Sequence, residues 1–334
     1  MTRDFLDDRG EIASPGVSFD ILRADPKVSW EFLPENVDEI TPELAARYDA
    51  ILTLRPRYSA ASVTGPDRRL ALIARFGVGY DRIDVDACTR AGVLVAITPE
   101  GVRRPVAQAV MTFVLALAGN LMQKDRITRQ ADWAAAWTYT GIGVEGRTLG
   151  LIGVGNIGRD VVKLATPFGM RVIAHDPYAK ELDGVELVDL ETVFRESDFI
   201  SVNCPLSSET RGLVNAQRLT LMKPSAYLIN TARGPIVDEK ALHDALVRKQ
   251  IAGAGLDVFE EEPAPAGNPI LKLDNVIVTP HALCWTDQCF RGNSEGACRA
   301  IVELAHGRVP SHVVNRAALE NPWLKERMAA WAAS

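Results

Sequence analysis

Thr148-Leu149-Gly150-Leu151-Ile152-Gly153-Val154-Gly155-Asn156-Ile157-Gly158 decides how this 334-residue chain folds. Leu149, Leu151, Ile152 and Val154 make an apolar run of strand length. Gly153, Gly155 and Gly158 then fit the spacing Gly-x-Gly-x-x-Gly. Val161 to Met170 reads as the helix that this turn opens, and Arg171 to Ala174 as a second strand that delivers Asp176. Each glycine has a physical job. The first makes the tight turn, the second lets backbone N–H groups approach a pyrophosphate, and the third lets helix pack on strand. The helix N-terminus offers unpaired N–H groups and the positive end of its dipole to the phosphates. A glycine triplet alone is an ordinary strand-to-helix turn. Strand, helix, second strand and acid together make a dinucleotide-binding fingerprint.

Asp176 also selects the dinucleotide. A carboxylate at the end of the second strand accepts hydrogen bonds from the adenosine ribose hydroxyls and repels a 2′-phosphate. Pro177 and Tyr178 follow without an arginine to welcome that phosphate, although Lys180 lies close by. NAD is favoured over NADP.

Away from the fingerprint, the chain is 47% hydrophobic, enough for two well-packed domains. A net charge of −6 and the lack of any Lys/Arg-rich run argue against a nucleic-acid partner. Residues 1–16 are charged and lack the apolar centre of a signal peptide. The apolar stretch Val110 to Ala118 is too short to span a bilayer, so no membrane partner is expected. Cys88, Cys204, Cys284, Cys289 and Cys298 are odd in number and lack metal-ligand spacing, which fits free thiols in a reducing cytoplasm and no metal site.

Elements alternate along the whole chain, which predicts an α/β protein with parallel sheets. After the fingerprint come a helical Leu190–Glu196, a strand Phe199–Asn203, a helix Asn215–Met222 and a strand Ala226–Asn230. A helix capped by Asp238 and running to Gln250 follows, then strands Ala254–Val258 and Asn275–Val278. Ahead of it, strands are expected at Val17–Leu22, Ile51–Leu54, Leu72–Phe76 and Val93–Ile97, without a glycine fingerprint. Helices Val106–Leu121 and Phe290–His306 would connect the two halves. The expected organisation is two Rossmann-like doubly wound domains. A nucleotide domain, residues 102–287, is inserted in a discontinuous substrate domain, residues 1–101 and 288–334.

Ligands of a parallel sheet sit at the carboxyl ends of its strands. Arg233, Glu262 and His281 all follow such ends. Together they supply what a 2-keto acid needs. Arginine takes the carboxylate in a bidentate fork. Protonated histidine gives its proton to the carbonyl oxygen as hydride reaches C2, and the glutamate holds and favours the imidazolium.

With these residues in place the chain resembles the D-isomer-specific 2-hydroxyacid dehydrogenase family. The resemblance rests on Gly77-Val78-Gly79-Tyr80-Asp81, the fingerprint with Asp176, Cys204-Pro205-Leu206 and Asn230-Thr231-Ala232-Arg233-Gly234. Gly255-Leu256-Asp257-Val258-Phe259 leading to Glu262-Pro263, and Thr279-Pro280-His281, complete it. It implies Arg233, Glu262 and His281 as the catalytic residues and a flavodoxin-like substrate domain. It implies backbone contacts from Asn156 and Ile157 to the pyrophosphate, besides Gly153, Gly155 and Gly158. Ile173 and the loop of Cys204, Pro205 and Leu206 would flank the adenosine. Thr231, Ala232, Arg233, Asp257 and His281 would line the nicotinamide side, with Asp257 near the carboxamide. Val78 and Gly79 N–H groups would join Arg233 and His281 around the substrate. A homodimer is also implied, with Trp133 and Trp137 packed in its arm.

Gln108, Asn203 and the bulky Ala282-Leu283-Cys284-Trp285 depart from the family pattern. The last departure places bulk beside the substrate. With Tyr58, Tyr80 and Arg55 or Arg57, it favours a small polar keto acid such as glyoxylate or hydroxypyruvate over branched-chain acids. Plainer readings stand beside these: a satisfied loop histidine for His281, a surface ion pair for Arg233, a solvated acidic run for Glu260 to Glu262. His175 reads as the end of a strand, His243 as solvent-facing on its helix and His306 and His312 as structural, and Cys284 lacks a base. The competing functions are an NAD(H)-binding corepressor and a formate or phosphonate dehydrogenase on the same scaffold.

Overall fold

The computed structural model describes residues 1–65 and 67–334. The chain divides into two compact units, Met1–Val102 with Trp285–Ser334, and Arg103–Cys284.

The first unit is built on three parallel strands, β1 (Ala50–Thr53), β2 (Leu72–Arg75) and β3 (Leu94–Ala96), in that spatial order. Two single hydrogen bonds extend the sheet beyond β1: Thr2 N–H donates to the Leu52 carbonyl, and Leu33 N–H to that of Met1. The resulting succession, residue 33, residues 1–2, β1, β2, β3, is the order 2-1-3-4-5 of a flavodoxin-like sheet. Period-two alternation sends Leu52, Leu72 and Leu94 to one core, with Phe290 and Leu304 of helix Asp287–Ala305. Ile51, Ile73 and Val95 go to the other, with Leu33, Ile40 and Tyr58. The far edge, β3, is covered by the C-terminal segment. Val314 N–H donates to the Val95 carbonyl, and the buried Asn315 side chain accepts from Val95 N–H while donating to the Val93 carbonyl.

The sequence-based strand at Val17–Leu22 is not formed. Asp20–Ala24 is a short helix packed on Asp287–Ala305, and Ser18 N–H donates to Ser294 Oγ of that helix. Four apolar residues in six fit either period, and the tertiary partner decides. Tyr58, expected at a substrate wall, is 1% exposed and belongs to the core.

The second unit holds seven parallel strands: β4 (Thr148–Ile152), β5 (Arg171–His175), β6 (Glu186–Leu187), β7 (Phe199–Val202), β8 (Tyr227–Asn230), β9 (Gly253–Leu256) and β10 (Val276–Val278). Their spatial order is β6-β5-β4-β7-β8-β9-β10, so the order reverses between β4 and β7. That is the nucleotide-binding arrangement of a Rossmann fold. Helix Pro99–Ala118 lays Val110, Phe113, Val114 and Leu117 on one face, beside helix Asn156–Ala165. The apolar pattern predicts this first helix over Val106–Leu121, whereas it begins at Pro99 and carries Pro105 inside it. Helices Leu190–Glu196 and Glu239–Val247 cover the opposite face. Asp238 caps the latter by accepting from Ala241 N–H.

Among the described residues no single helix is long and apolar enough to cross a membrane. Trp133 and Trp137, on the turn around Ala134–Tyr139, are 75% and 89% exposed.

Candidate active site

Strand register assembles the site in two groups. In the first, Ile152 pairs with His175 and with Val202, so β4, β5 and β7 end level. Gly153, Asp176 and Asn203 therefore emerge side by side. Gly153 has a φ of +96°, and a Cβ there would lie 2.9 Å from the Cys204 nitrogen. A Cβ on Gly158 would lie 2.5 Å from the Gly153 carbonyl oxygen, the close helix-strand approach that the fingerprint requires. A Cβ on Gly155, by contrast, meets open space. Helix Asn156–Ala165 has no side-chain cap, which leaves its first N–H groups to an anion.

The Asp176 carboxylate is locked by the backbone around it. One oxygen accepts from Val154 N–H at 2.9 Å, the other from Tyr178 N–H at 2.9 Å and Ala179 N–H at 3.2 Å. The acid is thereby fixed beside the glycine turn. Cys204, in the neighbouring loop, has its thiol pushed up to about 11 by burial, so little of it is thiolate at neutral pH.

The second group follows β8, β9 and β10, where Leu256 pairs with both Asn230 and Val278. The loops carrying Thr231 to Arg233, Asp257 and Thr279 to His281 thus leave the sheet together. His281 Nδ1 lies 2.8 Å from Glu262 Oε2, and the other Glu262 oxygen accepts from Phe259 N–H at 3.1 Å. Burial pushes the Glu262 carboxyl up, but the hydrogen bond and charge of His281, the Phe259 N–H and the Arg233 charge outweigh it. The net effect holds Glu262 below the ordinary carboxylate range. Arg233 Nη1 donates to the Ala232 carbonyl at 2.7 Å, and its charge is close enough to act on Glu262.

Two buried side chains shape these loops in ways that motif spacing does not reveal. Asn230, at the end of β8, accepts from Ala232 N–H and donates to the Arg233 carbonyl. Asp257 Oδ1 accepts from Thr279 Oγ1 at 2.6 Å, Ala282 N–H at 3.0 Å and Leu283 N–H at 3.1 Å. This brackets His281, whose φ of +55° is uncommon for a residue with a Cβ. Such a conformation persists where its surroundings over-determine it, and Asp257 supplies that constraint.

The family model for the NAD binding domain of D-isomer specific 2-hydroxyacid dehydrogenases matches residues 111–282. The chain belongs to this family. It is an NAD-dependent oxidoreductase. Among its relatives, a glyoxylate reductase of Korarchaeum cryptofilum is 39% identical over 276 residues, 80% of this chain and 83% of that one. A D-3-phosphoglycerate dehydrogenase of Methanocaldococcus jannaschii is 41% identical over 252 residues, 74% of this chain and 48% of the relative. A crystal structure of D-lactate dehydrogenase from Aquifex aeolicus, complexed with NAD and lactic acid, superposes with a TM-score of 0.75 at 29% identity. That match covers 86% of this chain and 91% of the other.

The residues of this dehydrogenase fit NAD on their own chemistry. Gly155 leaves its space open, the helix start is uncapped, and the Asp176 carboxylate is fixed beside the glycine turn. The Thr231 hydroxyl is buried without a hydrogen-bond partner among the described residues, a polar atom that a ligand on this side would satisfy. Asp176→Ala is expected to weaken NADH binding and to shift preference toward NADPH. Fluorescence titration with both cofactors checks this, and a wild type that preferred NADPH would refute the role given to Asp176.

Proposed function

We propose that this dehydrogenase interconverts a small, polar 2-keto acid and its D-2-hydroxy acid, with Arg233, Glu262 and His281 as its catalytic set. The observation carrying this reading is the 2.8 Å pairing of His281 Nδ1 with Glu262. It leaves Nε2 as the atom that gives its proton to the substrate oxygen in reduction and takes it back in oxidation. An ionised glutamate favours the imidazolium that reduction consumes. Arg233 binds the substrate carboxylate and orients C2. NAD supplies the two-electron carrier, as hydride, when bound. Gly153, Gly155, Asn156, Ile157, Gly158 and Asp176 would hold its adenosine half, with Cys204 and Pro205 beside them. Thr231, Ala232, Arg233, Asp257 and His281 would line the nicotinamide side.

Glyoxylate and hydroxypyruvate are the proposed substrates, supported by the relatives' names. The deciding experiment follows NADH oxidation with glyoxylate, hydroxypyruvate, 3-phosphohydroxypyruvate and 2-ketoisocaproate, and NAD reduction with formate and phosphite. A ranking with 2-ketoisocaproate above the first two would overturn the substrate assignment. Turnover of none would favour a nucleotide-sensing regulator, and turnover of formate or phosphite alone the other enzymes on this scaffold.

We also propose that Trp133 and Trp137 are covered by a second copy of the chain, since two indoles this exposed are costly in water. Light scattering at micromolar concentration is expected to give twice the 36.4 kDa chain mass. A monomer mass would refute the dimer. A cytoplasmic setting is part of this proposal, supported by an odd number of cysteines that lack metal-ligand spacing.

A further inference from the structure

The loop from Phe76 to Tyr80 in the first unit has its carbonyls tied down and its amides left over. The Gly77 carbonyl accepts from Thr98 N–H at 3.0 Å. The Gly79 carbonyl accepts from Arg75 Nε at 2.8 Å, and the Phe76 carbonyl from Arg75 Nη1. Gly77 N–H donates to Thr98 Oγ1 at 2.7 Å, and that hydroxyl donates to Asn293 Oδ1 at 2.7 Å. Thr98 and Asn293 are 4% and 3% exposed, so this relay is shielded from water. Asn293 is fixed in turn, its Nδ2 donating to Cys289 Sγ one helical turn away. Gly77 itself has a φ of +117°, a conformation that L side chains rarely adopt.

In a trans peptide the C=O and N–H point in opposite directions. Holding the Gly77 carbonyl on Thr98 therefore turns the Val78 N–H away from the scaffold. Holding the Gly79 carbonyl on Arg75 does the same to the Tyr80 N–H. Among the described residues the N–H groups of Val78, Gly79 and Tyr80 donate no backbone hydrogen bond. Successive outward N–H groups of this kind form an anion-binding concavity.

We infer that Arg75 and the Thr98–Asn293 relay are positioning residues, which aim the Val78 and Tyr80 N–H groups at the carboxylate of the substrate. The inference rests on the reading that this dehydrogenase acts on 2-keto acids. Neither side chain touches the acid in this scheme. Arg75 gives Nε and Nη1 to loop carbonyls. Thr98 holds the Gly77 carbonyl with its backbone N–H and the Gly77 N–H with its hydroxyl, so the hydroxyl acts on Val78 by fixing the Phe76–Gly77 peptide from which the loop turns.

Thr98→Val removes the hydroxyl at nearly constant volume, and Thr98→Ser keeps it. With glyoxylate as substrate, Thr98→Val is expected to raise KM by about tenfold or more, the loss for a misdirected donor to a charged acceptor. Its kcat should change far less, and its NADH dissociation constant, read by fluorescence, should not change. Thr98→Ser should return KM to the wild-type value, and Arg75→Met should raise it as Thr98→Val does. Binding of oxalate to the NADH complex, followed by calorimetry, should weaken in the same order. An unchanged KM in Thr98→Val, or a parallel loss of NADH affinity and thermal stability, would overturn the inference. If the wild type turns over no 2-keto acid, the proposed function fails, and the oxalate series alone then decides the role of the loop.

Discussion

Replacing His281 by alanine is expected to lower kcat for keto-acid reduction on the order of 10²–10⁴-fold, the usual contribution of a positioned acid/base. The pH dependence that a histidine acid imposes on reduction should flatten with it. NADH should still bind, because the glycine turn and Asp176 lie after other strands. Steady-state rates across pH, paired with NADH fluorescence titration, make the test. Near-wild-type turnover in His281→Ala would end the mechanism. Glu262→Gln should fall between, since the amide still reaches Nδ1 but no longer stabilises the charged ring.

Arg233→Ala should damage substrate binding and rate together, on the order of 10²–10³-fold in kcat/KM, because two charge-assisted hydrogen bonds to one carboxylate are lost at once. Lysine at the same position should recover only part of this. A point charge restores attraction without the planar fork. The variant has a second consequence inside the site. The Arg233 charge is one of the influences holding Glu262 low, so its removal lets that carboxyl rise toward the ordinary range. A substitution at Arg233 that altered KM for NADH but not for the keto acid would assign the side chain to the cofactor instead.

How far the sequence carried the fold is clearest at β4, β5 and β7. Their apolar runs are short and bounded by glycines and an acid, and the parallel register brings those boundaries to one level. Residues 17–22 defeated the same logic, because their helix exists to pack on Asp287–Ala305, nearly three hundred residues later. β6 escaped notice because two residues carry no period. At the site, residue types and order were legible, while hydrogen-bond partners were not. Asp257 illustrates the gap. Its motif position marked it as functional, but its engagement with Thr279, Ala282 and Leu283 depends on β9 and β10 ending together. Asn230 was seen only as a motif letter, although its amide organises the turn that presents Arg233.

The covering of β3 by residues 313–315 has a bearing on how the molecule is made. The first unit's sheet edge stays open until residues 313–315 leave the ribosome, and all of residues 103–284 must be translated in between. At roughly 5–20 residues per second that interval lasts on the order of ten seconds or more. During it the inserted unit has everything it needs to fold, while the N-terminal hundred residues hold three adjacent strands with a bare edge, the geometry that invites pairing with other chains. Folding therefore runs from the inside outward. A chain halted after residue 284 should contain a protease-resistant second unit and a first unit that is still digested.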